Sequence, residues 1–214
     1  MAELLAEERA AVARACQQLL ATGLVRGTSG NVSVRRAEAV AVSPTGVAYP
    51  ELTAEKVPVL GLDGSRLAGE LTPTSELALH LAVYQARPDV AAIVHTHSMF
   101  ATVYAVLGEP IPPVHYLLAR AGGSVPLAPY ARYGTPELAE ACVAALADGP
   151  AVLLAQHGVV AVGGELAEAM AVAEAVEYVA ELGWRARLAG TPRTLDAEQL
   201  AQAAAAFRDY GQPR

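Results

Sequence analysis

Apolar residues recur every three or four positions in several parts of the chain, which is the pattern of a helix that buries one face. The first such segment spans residues 3–22 and stops at Gly23, a residue typical of helix ends. The second opens with Thr72-Pro73-Thr74-Ser75-Glu76 and ends at Arg87-Pro88, because proline disfavours helical geometry in the residue before it. The predicted helices cover residues 3–22, 72–86, 98–107, 135–147, 165–189 and 196–208.

Alternating or uniformly apolar segments separate these helices and predict strands. Val32-Ser33-Val34-Arg35 alternates between apolar and polar positions, and Asp63-Gly64 joins two apolar segments as a hairpin turn would. Because no repeat or low-complexity linker interrupts this order, we predict one α/β domain over residues 1–214, with helices covering a mixed or largely antiparallel sheet. The predicted strands cover residues 32–35, 39–43, 57–62, 66–70, 90–95, 151–156 and 159–162.

Composition narrows the choice of partners and compartment. A hydrophobic content of 53% is ample for a buried core, and a net charge of −7 without a basic stripe argues against nucleic acid as a partner. No uncharged apolar run reaches about 18 residues, so we expect no membrane partner. The acidic first residues do not resemble a secretory signal, and we expect a cytoplasmic protein in which Cys16 and Cys142 are reduced core residues.

Three of the five histidines lie at the ends of predicted strands. His95 and His97 are two residues apart, so the strand period sends both side chains to the same side, and His157 follows another apolar strand. An isolated pair of histidines with this spacing is weak evidence for a metal site. Two histidine-bearing strand ends, each preceded by an apolar strand, together predict one. Zinc is the metal that suits three neutral imidazoles. Zinc hydrolases of the metallo-β-lactamase type would have Asp where Met99 stands. Cupins would have Glu a few residues after the second histidine, but the next acidic residue here is Glu109, so neither pattern fits.

Three short segments have the glycine and hydroxyl content of anion-binding loops: Gly27–Asn31, Ser43–Gly46 and Thr74-Ser75. Backbone N–H groups in such turns and at a helix start can bind a phosphate without any lysine. Each segment alone is more often an ordinary turn or helix cap. Their occurrence in one chain, in which only Lys56 is a lysine, predicts an oxyanion held by dipoles and hydroxyls.

Two further side chains lie on the helix that follows the third segment. Glu76 stands in the predicted first turn, where the helix dipole favours an acidic residue. On this evidence alone, a structural role at the start of the helix is the better interpretation of Glu76. His80 lies one turn later, and we expect it to pack or hydrogen-bond rather than to bind metal. Any mechanism with a Schiff base would have to use Lys56, which we expect at the surface.

In their order along the chain, these segments resemble the class II aldolases of the aldolase/adducin family. The segments are GTSGN (27–31), SPTG (43–46), Thr74-Ser75-Glu76, His95-Thr96-His97, His115-Tyr116 and Gln156-His157-Gly158. The similarity extends from the first helix to residues 207–211, and as an ordered set the motifs are specific. The resemblance implies a three-layer α/β/α fold with a largely antiparallel central sheet. It also implies a homotetramer of fourfold cyclic symmetry with active sites between subunits.

The resemblance also implies roles for individual residues. One zinc ion per subunit, or another divalent metal, would be bound by Glu76, His95, His97 and His157, and Glu76 would also act as the catalytic base. Tyr116 and Tyr210 become catalytic candidates, with Tyr116 in the site of a neighbouring subunit. The substrate phosphate would lie near Thr28, Gly30, Asn31, Thr45, Gly46, Thr74 and Ser75.

The implied activity is reversible aldol cleavage of a ketose 1-phosphate, of the L-fuculose 1-phosphate type. The products would be dihydroxyacetone phosphate and a short aldehyde such as L-lactaldehyde. Three alternatives belong to the same family. Adducin-like domains are expected to lack the metal histidines, and ribulose-5-phosphate 4-epimerases carry Asp at the position of Glu76, so both are less favoured. A methylthioribulose-1-phosphate dehydratase would use the same groups, and this alternative stays open.

Overall fold

The computed structural model describes residues 4–208, and within them eight strands form one sheet. The strands are β1 (Asn31–Arg36), β2 (Ala39–Val42), β3 (Val59–Gly61), β4 (Arg66–Ala68), β5 (Ala92–Thr96), β6 (Leu127–Ala128), β7 (Ala151–Leu154) and β8 (Gly158–Gly163). The helices are α1 (Ala6–Ala21), α2 (Leu77–Ala86), α3 (Met99–Leu107), α4 (Pro136–Leu146), α5 (Leu166–Ala189) and α6 (Ala197–Arg208), with short 3₁₀ helices at 49–51, 54–56 and 116–121.

The strand order is β4-β3-β2-β1-β5-β8-β7-β6. Among the described residues every neighbouring pair is antiparallel except β6 with β7, which is parallel. Tight turns join β1 to β2, β3 to β4 and β7 to β8, as expected for antiparallel neighbours. The central strand β5 is flanked by β1 and β8, and this arrangement brings the site residues together.

Helices cover both faces of the sheet. The larger apolar cluster joins the first face to α1, α3 and α5, and the smaller one joins the second face to α2 and α4. The alternation in β1 sets which side chains meet which layer: Val32 and Val34 enter the larger cluster, so Asn31 and Ser33 point to the layer of α2. The predicted three-layer α/β/α fold with a largely antiparallel sheet is confirmed.

The start of α2 differs from its prediction. The helix begins at Leu77, and Glu76 is its N-cap rather than part of its first turn. The preceding loop is extended because Pro73 forms an isolated bridge with Pro44, and the amide of Thr74 donates to the carbonyl of Ser43. Thr74 and Ser75 therefore lie in a loop that is paired with another loop, not in a helix.

Two other expectations concern the core and the membrane. Cys16 and Cys142 are both buried and unbonded to each other, as predicted. Burial raises the pKa of each thiol to about 12, which keeps both neutral. Among residues 4–208, none of the helices combines the length and the apolar character needed to cross a membrane.

Candidate metal centre and active-site pocket

The three predicted metal histidines converge at one end of the sheet. His95 is in β5, His97 follows it directly, and His157 lies in the turn between β7 and β8. Their ring centroids are 4.8–4.9 Å apart, with interplanar angles of 73–77°. The Nε2 atoms of His95 and His97 are 3.0 Å apart. This T-shaped arrangement brings one ring nitrogen of each histidine close to the others.

Glu76 completes the cluster from the second layer. Its Oε2 atom lies 3.2 Å from Nε2 of His95, and its Oε1 atom lies 3.5 Å from Nε2 of His157. One ligand atom from each of the four residues falls within 4.8 Å of the others. Oε1 of Glu76 is buried and has no hydrogen-bond partner among residues 4–208, which is costly for a carboxylate unless a cation faces it. The four residues therefore fit a divalent metal.

Backbone contacts fix the orientation of His95. Its Nδ1 atom is 3.0 Å from the carbonyl oxygen of Val159, and because a carbonyl can only accept, Nδ1 carries the hydrogen. The lone pair on Nε2 is then free for a metal, the arrangement common for metal-bound histidines. Gly158 allows β8 to approach β5 closely, because a Cβ at Gly158 would lie 2.3 Å from the carbonyl oxygen of Thr96 at the end of β5.

The electrostatics of the cluster favour neutral imidazoles at His97 and His157 beside a charged carboxylate. Burial, together with His95, lowers the pKa of His97 and of His157 to about 4. Burial would raise the pKa of Glu76, but His95, His157 and the hydrogen bond from Asn31 outweigh it and lower that pKa well below its usual range. For His95, the carboxylate of Glu76 outweighs burial and raises the pKa. The carboxylate is therefore ionised across the physiological range.

A pocket of about 480 Å³ opens beside the metal centre. All three segments predicted to bind phosphate line it together with three of the metal-type ligands, whereas His95 lies fully buried behind it. Its lining residues are Thr28, Ser29, Gly30, Asn31, Pro44, Thr45, Gly46, Thr74, Ser75, Glu76, His97, Tyr130, Ala131, Tyr133, Gln156 and His157.

Backbone hydrogen bonds hold the pocket loops side by side. The amide of Thr45 donates to the carbonyl of Thr72, and that of Thr74 donates to Ser43. The hydroxyl of Tyr49 donates to the carbonyl of Gly30 at 2.6 Å from beneath the first loop. Because the amides of Thr45 and Thr74 are already used, these two residues can offer an anion only their hydroxyl groups.

Residues 10–184 match the family model of the class II aldolase and adducin N-terminal domain. The chain belongs to this family. A 5-deoxy-D-ribulose 1-phosphate aldolase of Bacillus thuringiensis is 40% identical over 211 residues, which are 98% of this chain and 99% of that protein. An L-fuculose phosphate aldolase of Escherichia coli is 40% identical over 199 residues, 92% of each chain.

Solved structures of the family agree with this assignment. A structure of an L-fuculose 1-phosphate aldolase superposes with a TM-score of 0.91 at 37% identity, covering 94% of this chain and 96% of that one. The chain is therefore a lyase of the class II aldolase type, a metal-dependent class of enzyme. The cluster of Glu76 with three histidines is where this aldolase could hold its metal.

The aromatic side of the aldolase pocket was not predicted from the sequence. Tyr130 and Tyr133 line it and are 66% and 64% exposed. The loop that carries them is held near Glu76, since a Cβ at Gly134 would lie 2.8 Å from the carbonyl oxygen of Ser75. Two tyrosines in a proline- and glycine-containing loop were the available signal, but nothing in sequence order ties that loop to the metal ligands.

The remaining candidates lie elsewhere. Tyr116 does not line the pocket of its own chain: it is 49% exposed and packs against His115, with a ring centroid distance of 4.4 Å, and against Phe207 at 5.9 Å. Tyr210 lies outside the described residues. Lys56 donates to the carbonyl of Glu51 on the surface and is not among the residues that line the pocket.

Proposed function

We propose that this chain reversibly cleaves a ketose 1-phosphate into dihydroxyacetone phosphate and a short aldehyde. The observation that carries the proposal is one pocket in which four metal-type ligands adjoin three loops suited to a phosphate. A substrate bound there would have its phosphate among the loops and its carbonyl group toward the histidines. The single lysine lies outside the pocket, which is consistent with a mechanism that forms no imine.

We propose that Glu76, His95, His97 and His157 bind one zinc ion per subunit, a donor set that suits zinc. When bound, the metal supplies Lewis-acid stabilisation of negative charge that develops on substrate oxygens. Glu76 gives and takes the proton at the carbon next to the substrate carbonyl after the carbon–carbon bond breaks. Its Oε1 atom, which has no hydrogen-bond partner among residues 4–208, is the oxygen available for that step.

The phosphate is proposed to bind through the residues that line the far side of the pocket. Hydroxyl groups of Thr28, Thr45, Thr74 and Ser75 donate to phosphate oxygens, and Gly30 and Gly46 let the backbone approach closely. Both glycines have positive φ angles, 78° and 70°, which favour residues without a Cβ. The Asn31 side chain contributes to the same wall, although its amide nitrogen already donates to Glu76.

Cleavage also requires a proton to leave the hydroxyl group that becomes the aldehyde. Glu76 works at the other carbon, so we propose that Tyr116 of a neighbouring subunit, in its phenolate form, accepts this proton and returns it in the reverse reaction, with Tyr210 as a second candidate. Tyr116 is exposed and does not line the pocket of its own chain, which is consistent with a shared site. In a cyclic homotetramer, head-to-tail contacts allow one subunit to complete the next. A phosphorylated sugar substrate also fits the expected cytoplasmic location.

Two substrates are favoured by specific relatives. L-Fuculose 1-phosphate would give lactaldehyde, and it is the substrate type named for the Escherichia coli relative and the solved structure. 5-Deoxyribulose 1-phosphate would give acetaldehyde, and it is named for the Bacillus thuringiensis relative, whose match covers nearly the full length of both chains. The two aldehydes differ by one hydroxymethylene group, so polar contacts near Tyr130 and Tyr133 would decide between them.

The test is a panel of ketose 1-phosphates and 5-phosphates incubated with zinc-loaded protein, assayed for dihydroxyacetone phosphate. We expect release from 1-phosphates only, abolished by a chelator and restored by zinc. 5-Methylthioribulose 1-phosphate belongs in the panel, because it distinguishes cleavage from loss of water. Water loss or epimerisation without dihydroxyacetone phosphate would replace the proposal by the dehydratase or the epimerase.

A further inference from the structure

A row of buried polar side chains extends from the metal centre into the second layer. On β1, Asn31 and Ser33 point to the same face because they are two residues apart. On α2, His80 and Tyr84 are four residues apart and therefore lie on one stripe of the helix. Four helical residues rise about 6 Å and two strand residues about 6.6 Å, so the two rows stay in step.

Each member of this row contacts the next. The amide nitrogen of Asn31 is 2.9 Å from Oε2 of Glu76, and its Oδ1 is 2.5 Å from Nε2 of His80. Nδ1 of His80 is 2.7 Å from the hydroxyl of Ser33, which is 2.7 Å from the hydroxyl of Tyr84. Both His80 and Ser33 are fully buried. We call Asn31, His80, Ser33 and Tyr84 the relay.

The charge on Glu76 determines the direction of every hydrogen bond in the relay. Its carboxylate can only accept, so the Asn31 NH₂ group faces it and Asn31 Oδ1 must accept from His80. His80 then carries its hydrogen on Nε2, and its Nδ1 accepts from Ser33. The Ser33 oxygen in turn accepts from Tyr84. A flipped Asn31 amide would set its oxygen against the carboxylate, which a buried site does not tolerate.

We propose that His80 is a positioning residue, which acts through Asn31 to hold Oε2 of Glu76 in place and so leave Oε1 directed at the metal and the substrate. This inference rests on the proposed role of Glu76 as the base. His80 does not touch the reacting atoms and does not transfer a proton. It fixes the amide that orients the base, and Ser33 and Tyr84 fix the tautomer of His80.

The surroundings of His80 keep it suited to this role. Burial lowers its pKa to about 3, so the ring stays neutral at working pH and presents one donor and one acceptor. A buried imidazole needs a hydrogen-bond partner for each ring nitrogen, whereas an apolar residue would fill the same space without any partner. The neighbours Leu79, Val83 and Ile93 belong to the same apolar layer, so a merely structural position could have been leucine.

The first experiment compares His80→Gln with His80→Asn in the zinc-loaded enzyme. Gln can place an amide N–H near the position of Nε2 and still donate to Asn31, whereas the shorter Asn side chain reaches only the position of Nδ1. In His80→Asn we expect kcat and solvent deuterium exchange into dihydroxyacetone phosphate to fall by about 10- to 100-fold. KM and zinc content should stay near wild type, and His80→Gln should recover most of the loss. Equal rates in the two variants overturn the inference.

A second measurement does not require that either His80 variant folds. In ¹⁵N spectra of the wild-type enzyme, the relay requires the Nε2–H tautomer of His80 at neutral pH. Tyr84→Phe, which removes the last hydroxyl, should shift the Nδ1 resonance of His80. The matched control Tyr104→Phe changes an equally buried tyrosine in the larger apolar cluster and should leave that resonance unchanged. An Nδ1–H tautomer in the wild-type enzyme overturns the inference.

These readouts separate the inference from the proposed function. If the wild-type enzyme neither cleaves ketose 1-phosphates nor exchanges protons, the proposed function fails, while the tautomer spectrum still tests the order of the hydrogen bonds. If the wild-type enzyme exchanges protons but His80→Gln and His80→Asn do so equally, only the inference fails.

Discussion

The metal centre and the aromatic side of the pocket are built differently. Three of the metal-type ligands lie on or next to the central strands β5 and β8, and Glu76 is fixed at the start of α2. Tyr130, Tyr133 and Tyr116 are exposed and lie in the loop-rich segment between α3 and α4. The four metal-type ligands of one chain therefore lie close together without any partner, whereas the aromatic side is open at the surface of that chain.

The largest effect is expected at the metal centre itself. His157→Ala should lose both the metal and activity, because one of three imidazole ligands is removed while the core strands remain. Metal content by atomic absorption and activity on the best ketose 1-phosphate measure this. His115→Ala, which changes a histidine outside the cluster, is the control for metal content. One zinc ion per subunit in His157→Ala would contradict the assignment.

Glu76→Gln should keep the fold and the phosphate site but lose the base. Gln retains the size and an oxygen that can accept from Asn31, so the neighbouring hydrogen bond survives. We expect a rate loss of about 10²–10⁴, typical for a general acid–base group. The measurement is deuterium exchange from solvent into dihydroxyacetone phosphate. Exchange at the wild-type rate would exclude Glu76 as the base.

Tyr116→Phe tests whether the open side is completed by a neighbour. This variant should bind metal and phosphate normally and turn over slowly, because only the hydroxyl is lost. Mixed assemblies of Tyr116→Phe with His95→Ala should regain part of the activity, since some sites then combine an intact metal centre with an intact tyrosine. Hybrids that form without any recovery would mean that Tyr116 acts within its own chain or not at all.

Acid should lower the free energy of unfolding through His80, which is buried in the layer of α2. Burial is the main cause of its pKa of about 3, with His95 lowering it further and Glu76 raising it, while Asn31 and Ser33 contact the ring. In the unfolded chain, His80 takes up this proton near pH 6.5, so above that pH its titration does not lower the free energy of unfolding. As the pH falls from 6.5 toward 3, the free energy of unfolding decreases by up to about 1.4 kcal/mol per pH unit.

Urea unfolding of metal-free protein at a series of pH values checks this dependence. His80→Gln cannot take up the proton, so its free energy of unfolding should fall less steeply with acid than that of wild type. The other histidines contribute equally to both proteins and cancel in the comparison. Parallel curves for the two proteins would show that His80 does not have the lowered pKa.

The smallest effect is expected at Lys56. Its ammonium group donates to the carbonyl of Glu51 at 2.8 Å and lies away from the pocket, so Lys56→Ala should be close to wild type in rate. Borohydride added during turnover should trap no adduct. A reduced imine on Lys56 would instead demand a different mechanism.

Local patterns predicted the layers and the convergence of three histidines, because both depend on periodicity within one segment. The two-residue spacing of His95 and His97 and the apolar strand before His157 carried that prediction. The predicted start of α2 was wrong, because the pairing of Pro73 with Pro44 is a tertiary contact that overrides the local helix signal. The same limit applies to Tyr133, whose loop meets the pocket only in three dimensions.

The relay lies between these cases. Asn31 and Ser33 repeat every two residues, and Glu76, His80 and Tyr84 repeat every four, so both polar rows are visible in the sequence. What the sequence does not contain is the fact that β1 and α2 face each other. Once the sheet places them in adjacent layers, the two periodicities become one hydrogen-bonded row.

Gly158 has a consequence for natural variation in this protein. Because any Cβ at this position would lie 2.3 Å from the carbonyl oxygen of Thr96, beside the metal histidines, every missense change in its codon should be eliminated by selection for activity. Gly23, which lies outside the pocket, has open space around it, so its positive φ angle of 76° is the main constraint, and Asn should be tolerated there. Deep mutational scanning under selection for growth on the substrate should therefore yield an empty row at codon 158 and a sparse but occupied one at codon 23.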